Sequence, residues 1–317
     1  GVSNPNNPPL GFPFGGTSPQ LGDDDGFGFG WRDQWVYKLG LSYDLNPEWT
    51  IRAGYNHGSA PITDGNTLFN ILAPATVEDH LTPIEPDTPF RFACSPEVAC
   101  FNECCRDLNQ FLYPYDILRL KKRLGLSSGK FLERYTIQHV GPESGLPIVA
   151  LKAADAERFA CPFVTPSGCR VYPDRPASCR TYPLVRGISR NRETGKVTEH
   201  FMLLKEPHCL GFNAPKSQTA RQWIDDQQIE IYNHFNDQLL EIIGLKNQLR
   251  PGPLDPKLRQ LFYEALYDLD RFRTQLFKNQ LLDQIDVDPQ KLADAETDDT
   301  ALLEVGMAYV KQVLFKS

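Results

Sequence analysis

The chain has 317 residues, 33 Lys and Arg against 40 Asp and Glu, 41% hydrophobic residues and eight cysteines, which leaves room for two domains. No apolar run approaches the ~18 residues that a membrane-crossing helix needs, so a helical membrane protein is excluded. Residues 1–82 carry 3 basic and 9 acidic side chains, 83–212 carry 18 and 14, and 213–317 carry 12 and 17; the mildly basic middle is too weak for a nucleic-acid footprint, and no nucleic-acid partner is expected.

The first residue is Gly, with no basic stretch or apolar h-region behind it, so the start reads as truncated. Residues 1–30 are rich in Gly, Pro, Asn and Asp and read as a loop, because they offer too little apolar surface to offset chain entropy. From Trp35 the pattern alternates, with Tyr37, Leu39, Leu41 and Tyr43 on one face and Lys38, Gly40, Ser42 and Asp44 on the other. A turn at Asn46-Pro47-Glu48 follows, and then Trp49, Ile51, Ala53 and Tyr55 alternate with Thr50, Arg52, Gly54 and Asn56. The pattern predicts a β-hairpin with aromatic residues near its ends. Such strands suit half of a soluble sheet or part of a transmembrane barrel.

The wording of Gly28-Phe29-Gly30-Trp31-Arg32-Asp33-Gln34, Trp49-Thr50-Ile51-Arg52-Ala53-Gly54-Tyr55 and Ile71-Leu72-Ala73-Pro74-Ala75-Thr76-Val77-Glu78-Asp79-His80-Leu81-Thr82 resembles the late strands of FadL-type outer-membrane long-chain fatty-acid transporters. The resemblance covers about residues 20–82 and implies an outer-membrane location and a fatty-acid partner for that segment, if it functions. It stops at Pro83-Ile84-Glu85-Pro86, where the family continues with another strand.

All eight cysteines follow, within the middle segment. Cys94, Cys100 and the adjacent Cys104 and Cys105 form a first cluster; Cys161, Cys169 and Cys179 form a second, with Cys209 further on beside His208. Thiolates are soft ligands suited to Zn²⁺ or iron–sulfur clusters, and four of them complete a tetrahedral site. All eight are candidate metal ligands. Four disulfides or buried apolar fillers are the other readings, less favoured by the clustered spacing. Neighbouring side chains diverge, so Cys104 and Cys105 either share one centre through a tight turn or serve two. Arg106, Arg170, Arg175 and Arg180 could offset thiolate charge through hydrogen bonds to sulfur, and His208 is a further candidate ligand.

The sequence Phe92-x-Cys94, Cys100-Phe101-Asn102-x-Cys104-Cys105-Arg106-Asp107-Leu108, Cys161-Pro162-Phe163, Gly168-Cys169-x-Val171-Tyr172 and Arg175-Pro176-x-x-Cys179-Arg180-x-Tyr182-Pro183 resembles the YkgJ-type cysteine-cluster proteins, also described as zinc- or iron-chelating CxxCxxCC domains. The match spans about residues 83–212, with five and three residues between the first cysteines where the family name has two. The resemblance implies chelation of zinc or iron, the latter also as an iron–sulfur cluster, with no defined biochemical role. A related group, the flagellin lysine N-methylases, supplies the alternative of a cluster-dependent methyltransferase; no catalytic residue is assigned.

Residues 217–247, 255–285 and 289–315 read as helices. Leu258, Leu261, Phe262, Ala265, Leu266, Leu269, Phe272 and Leu276 follow three-four spacing, and Asp255-Pro256 and Asp288-Pro289 each place a cap before a first-turn Pro. Their apolar faces are expected to pack on the cysteine domain, a protein partner being the other occupant. The expected fold class is α+β: a barrel-type hairpin fragment over 1–82, a metal-binding domain over 83–212 and a helical layer over 213–317. Because free thiolates persist where thiols stay reduced, the cysteine domain is expected in the cytoplasm, and the chain reads as a fragment of one gene joined to another, by fusion, frameshift or assembly error.

Overall fold

A computed structural model describes residues 36–46, 49–58, 80–106, 110–141, 145–154, 159–190, 197–250, 252–278, 281 and 285–315. The expected loop over 1–30, the FadL-like stretch 71–79 and the Asp107-Leu108 pair of the cysteine motif lie outside the described residues. Two compact units divide the chain, Gly1–Leu81 and Thr82–Ser317.

In the first unit, β1 (Val36–Asn46) and β2 (Trp49–Gly58) pair antiparallel, with Lys38 opposite Asn56 and Tyr43 opposite Ile51. The register shifts between Asp44 and Asn46, beside the turn expected there. The reading of this hairpin as part of a barrel rests on the sequence resemblance; among the described residues no sheet closes on itself.

Short strands and helices build the rest. β3 (Leu81–Ile84) and β4 (Pro89–Arg91) precede α1 (Pro114–Leu124) and α2 (Ser128–Tyr135), which lead into the hairpin of β5 (Thr136–Val140) and β6 (Pro147–Leu151). The two-residue strands β7 (Val164–Thr165) and β8 (Gly168–Cys169) are followed by α3 (Ala177–Thr181), then β9 (Leu184–Arg190), β10 (Val197–Leu204) and β11 (Ser217–Thr219). β10 lies between β3 and β9, and β11 pairs antiparallel with β4. Among the described residues six helices follow: α4 (Ala220–Asp226), α5 (Glu230–Leu249), α6 (Pro256–Leu266), α7 (Leu269–Lys278), α8 (Pro289–Ala295) and α9 (Asp299–Phe315). Among the described residues no helix is long and apolar enough to cross a membrane.

The helix starts follow their sequence signals. Asp255 accepts from the amides of Lys257 and Leu258, and Asp288 from that of Gln290, each ahead of a first-turn proline. Each of the three expected helices is nevertheless broken in two. The first splits at Gln227–Ile229, where Gln228 takes a positive φ of 52°, and its opening residues 217–219 pair as β11. The second splits at Tyr267-Asp268, where the Asp268 carbonyl accepts from Phe272 and its carboxylate from the Ser128 hydroxyl. The third splits before Asp299. No glycine or proline marks these breaks; contacts with distant segments fix them.

One core joins α1, α2 and the β5–β6 hairpin to the C-terminal helices, through Leu118, Leu120, Phe131, Phe262, Leu266, Phe272, Leu302 and Val310, each almost wholly buried. Of the apolar face expected on residues 258–276, Phe262, Leu266, Leu269, Phe272 and Leu276 are buried here, each contributing about 1.5–3 kcal/mol, with Leu258 and Leu261 partly buried beside them. Gly306 lets α9 cross α6 closely: a Cβ there would lie 2.3 Å from the Ala265 carbonyl oxygen. An ionic tie accompanies the apolar one. Lys121, buried on α1, reaches Asp270 at 3.0 Å and Asp299 at 3.1 Å. A smaller core of Phe90, Phe92, Leu184, Leu203, Trp223 and Ile229 lies under the cysteine-bearing loops.

Candidate metal centre

All eight cysteines are free, and none is fully buried, which matches neither the disulfide reading nor that of apolar filler. Backbone hydrogen bonds gather them from segments more than fifty residues apart into two neighbouring groups.

The first group forms where the segment after β4 meets the one after β10. The Ala93 amide donates to the Gly211 carbonyl at 3.1 Å and Phe92 to Lys216 at 3.3 Å, which sets Cys94 against residues 209–211. Gly211 is required by this approach, since a Cβ there would meet the Phe92 ring at 2.6 Å and the Ala93 carbonyl at 2.7 Å. The Leu210 amide then donates to Cys100 Sγ at 3.1 Å, and the Cys100 and Cys209 thiols contact each other. Phe92 anchors the floor, packing edge-on against Tyr182, Phe212 and Trp223 at centroid distances of 5.3–5.7 Å.

The second group forms around β7 and β8. Cys161 donates its amide to the Cys105 carbonyl at 2.8 Å, and Cys169 pairs across the tiny hairpin with Val164. Cys179, on α3, points its Sγ at Gln110 Oε1, 3.4 Å away. Between the groups lies the 3₁₀ turn Glu103–Cys105, entered through Asn102 with a φ of 70° and held by Asn102 Nδ2 donating to the Thr165 carbonyl at 3.0 Å. Cys104 lies near Cys94 and Glu206, and both Cys104 and Cys105 lie near Cys161 and Cys179. The two adjacent thiols hydrogen-bond to each other and so stand together between the groups.

Electrostatics follow from the crowding. Burial, and after it the charges of Cys104, Cys100 and Cys209, pushes the Cys94 thiol up to about 11. Surrounding protein, then Cys161, pushes Cys179 up to about 12 although its side chain keeps solvent contact; burial also raises Cys161, Cys169 and Cys209. Cys104 and Cys105 share a proton, so the pair yields its first easily, at about 7 on Cys104, and holds the second on Cys105 firmly. Opposing this, main-chain amides point at sulfur: Phe163 and Val164 at Cys161, Val171 at Cys169, Gly211 at Cys209. Such N–H···S bonds favour the thiolate over the thiol.

The arginines act differently from expectation. Arg175 and Arg180 are buried, but they donate to protein oxygens rather than to sulfur: Arg175 to the Tyr172 carbonyl at 2.7 Å and to Gln227, Arg180 to the Pro173 carbonyl at 2.6 Å and the Tyr232 hydroxyl at 3.2 Å. The Arg175 charge still lowers Cys94 and Cys169. Arg106 and Arg170 are exposed. His208 is also exposed, its Nε2 3.7 Å from a Glu206 carboxylate oxygen, and it joins neither group of sulfurs.

Among the described residues no three His, Cys, Asp or Glu side chains close to the spacing of a bound ion. The sulfurs are gathered without being drawn onto one point. The donor set nonetheless fits a thiophilic metal: all soft sulfur, met by amide donors. The Tyr182 hydroxyl adds to the fit, buried without a hydrogen-bond partner of ordinary geometry and facing Cys209, where a thiolate would accept its proton. Tyr182 falls within the motif that carries the family resemblance. The amide donors, by contrast, have no side-chain signature.

Residues 93–210 match the family described as "CxxCxxCC: Putative zinc- or iron-chelating domain". Residues 27–76 match the outer membrane protein transport protein family (OMPP1/FadL/TodX). Neither a curated protein nor a solved structure matches the chain.

Proposed function

We propose that the Thr82–Ser317 unit chelates zinc or iron at two four-sulfur centres, one of Cys94, Cys100, Cys104 and Cys209 and the other of Cys105, Cys161, Cys169 and Cys179. The supporting observation is the grouping of Cys94 with Cys100 and Cys209 and of Cys161 with Cys169 and Cys179, with the hydrogen-bonded Cys104 and Cys105 between them, one thiol for each group. Four-coordination by thiolate is the preference of both Zn²⁺ and iron–sulfur clusters. Bound metal would supply the folding energy that two-residue strands and short 3₁₀ turns cannot. Free thiols of this number suit a reducing compartment, so we place the chelating unit in the cytoplasm. We read the FadL-like hairpin as a barrel fragment joined to it, without a part in chelation; a homologous chain that starts near Pro83 would support this, and intact genes that routinely carry both parts would sink it.

Metal and acid-labile sulfide should be measured on the full chain purified without oxygen, with an absorption spectrum. The expected result is either two zinc equivalents without sulfide, or iron with sulfide and a broad visible band. Cys104→Ser and Cys105→Ser should each lose one centre and keep the other. Stoichiometric metal that both variants retain in full would remove the division into two centres; metal-free wild-type protein would overturn chelation.

A further inference from the structure

Beside the second sulfur group lies a cleft of about 500 Å³, lined by Arg123, Leu124, Leu126, Arg134, Tyr135 and Arg170. It sits where the last turns of α1 and α2 approach the residue that follows β8. Three exposed guanidinium groups are concentrated here on a chain whose net charge is −7. Arg123 shares one carboxylate, its Nε 3.9 Å from Asp174, whose other oxygen is already held by Arg119 at 2.5 Å. Arg134 and Arg170 have no carboxylate partner among the described residues. Each is instead held over an aromatic ring, Arg134 over Tyr135 at 5.2 Å and Arg170 over Phe163 at 5.7 Å.

Like charges placed together without counter-charge repel, and a surface of net negative protein offers many cheaper places for them. Stacking on rings limits guanidinium motion and leaves the N–H edges available. Several end carbonyls are already taken by amides: Gly125 and Leu126 cap Lys121 and Lys122 on α1, and Thr136 caps Leu132 on α2. Leu124 and Leu126 add an apolar wall, so the cleft joins fixed positive charge to a surface that can cover a small organic body. Its size is that of a small-molecule site, and the acidic remainder of the chain offers no path for a nucleic-acid polymer.

We propose that this cleft binds a small organic phosphate, its phosphoryl oxygens on Arg123, Arg134 and Arg170 and its apolar part against Leu124 and Leu126. Phosphate suits the site better than carboxylate because it carries up to two charges and three acceptor oxygens for three guanidinium donors. Arg170 adjoins Cys169, which places the ligand next to the second sulfur group. The proposal is independent of metal chelation, since no cleft residue is a cysteine.

Calorimetric titration of the full chain with phenyl phosphate, inorganic phosphate and benzoate tests it, with metal content measured on every sample. Phenyl phosphate should bind saturably and more weakly as salt rises, inorganic phosphate less tightly, and benzoate weakest. Arg134→Gln alone, remote from the cysteines, and the pair Arg134→Gln with Arg170→Gln should weaken phenyl phosphate progressively, the pair by about tenfold or more, with metal content unchanged. No saturable binding up to about 10 mM, a range that would capture even millimolar affinity, would overturn the site. So would unaltered affinity in both variants, and benzoate binding equal to phenyl phosphate would overturn the choice of phosphate.

Discussion

The helical core and the sulfur-bearing loops of the Thr82–Ser317 unit are built on opposite principles. Around α9, whole helix faces vanish from solvent, and Leu302, Leu303 and Val310 lie at or near complete burial, so apolar area is the main source of cohesion there. The loops that carry the cysteines have strands of two residues and short 3₁₀ turns, and their sulfurs keep partial exposure. Both regions use a glycine for close approach, Gly306 where two helices cross and Gly211 where two loops meet. What differs is the source of cohesion. The core is paid for by burial, whereas the loops rely on a small aromatic floor, a few long-range backbone bonds and, on the proposed reading, a metal.

That contrast can be broken first at the core. Phe272→Ala should cost about 3–5 kcal/mol by urea unfolding while metal per folded protein stays constant; loss of metal in step with stability would mean that the two regions are not separable. Lys121→Met should cost about 1–3 kcal/mol, because it removes the buried one of the two cations that Asp270 and Asp299 share and leaves Arg273 to hold both. A neutral result there would assign the tie between α1 and the C-terminal helices to apolar contact alone. At the sulfur end, Gly211→Ala should cost about 1–3 kcal/mol through its clash with Phe92 and Ala93, and should remove the metal of the first centre but not of the second. Loss of both in equal measure would join the groups into one.

The smallest effect lies at the junction of the two regions. Asp116 is buried between α1 and α3, accepting from the amides of Tyr113 and Ala177, and burial pushes its carboxyl up to about 7. A carboxyl raised above its unfolded value near 4 binds its proton more tightly in the folded chain. Its contribution is therefore fully present below pH 4 and lost as pH rises toward 7. Unfolding measured at pH 5 and pH 7 should show wild type losing stability over this window relative to Asp116→Asn; parallel profiles would show that Asp116 stays ionised on its two amides.

Much of the chemistry was legible in the chain itself. Soft thiol donors in clusters imply a thiophilic metal wherever they fold together, because ligand preference belongs to the side chain. The caps at Asp255 and Asp288 and the three-four spacing through residues 258–276 fixed helix starts and the buried face, since those signals act over one or two turns. The hairpin of β1 and β2 was likewise readable from alternation and its turn. Tertiary structure alone decided the rest. The breaks at Gln227–Ile229 and Tyr267-Asp268 answer to partners such as Ser128, 140 residues away. Arg175 and Arg180 turned to carbonyls because burial set those acceptors within reach. Which sulfurs become neighbours depended on backbone bonds from Ala93 to Gly211 and from Cys161 to Cys105. Spacing along the chain carries no information on such pairings, since closing a long loop costs nearly the same entropy for any of them.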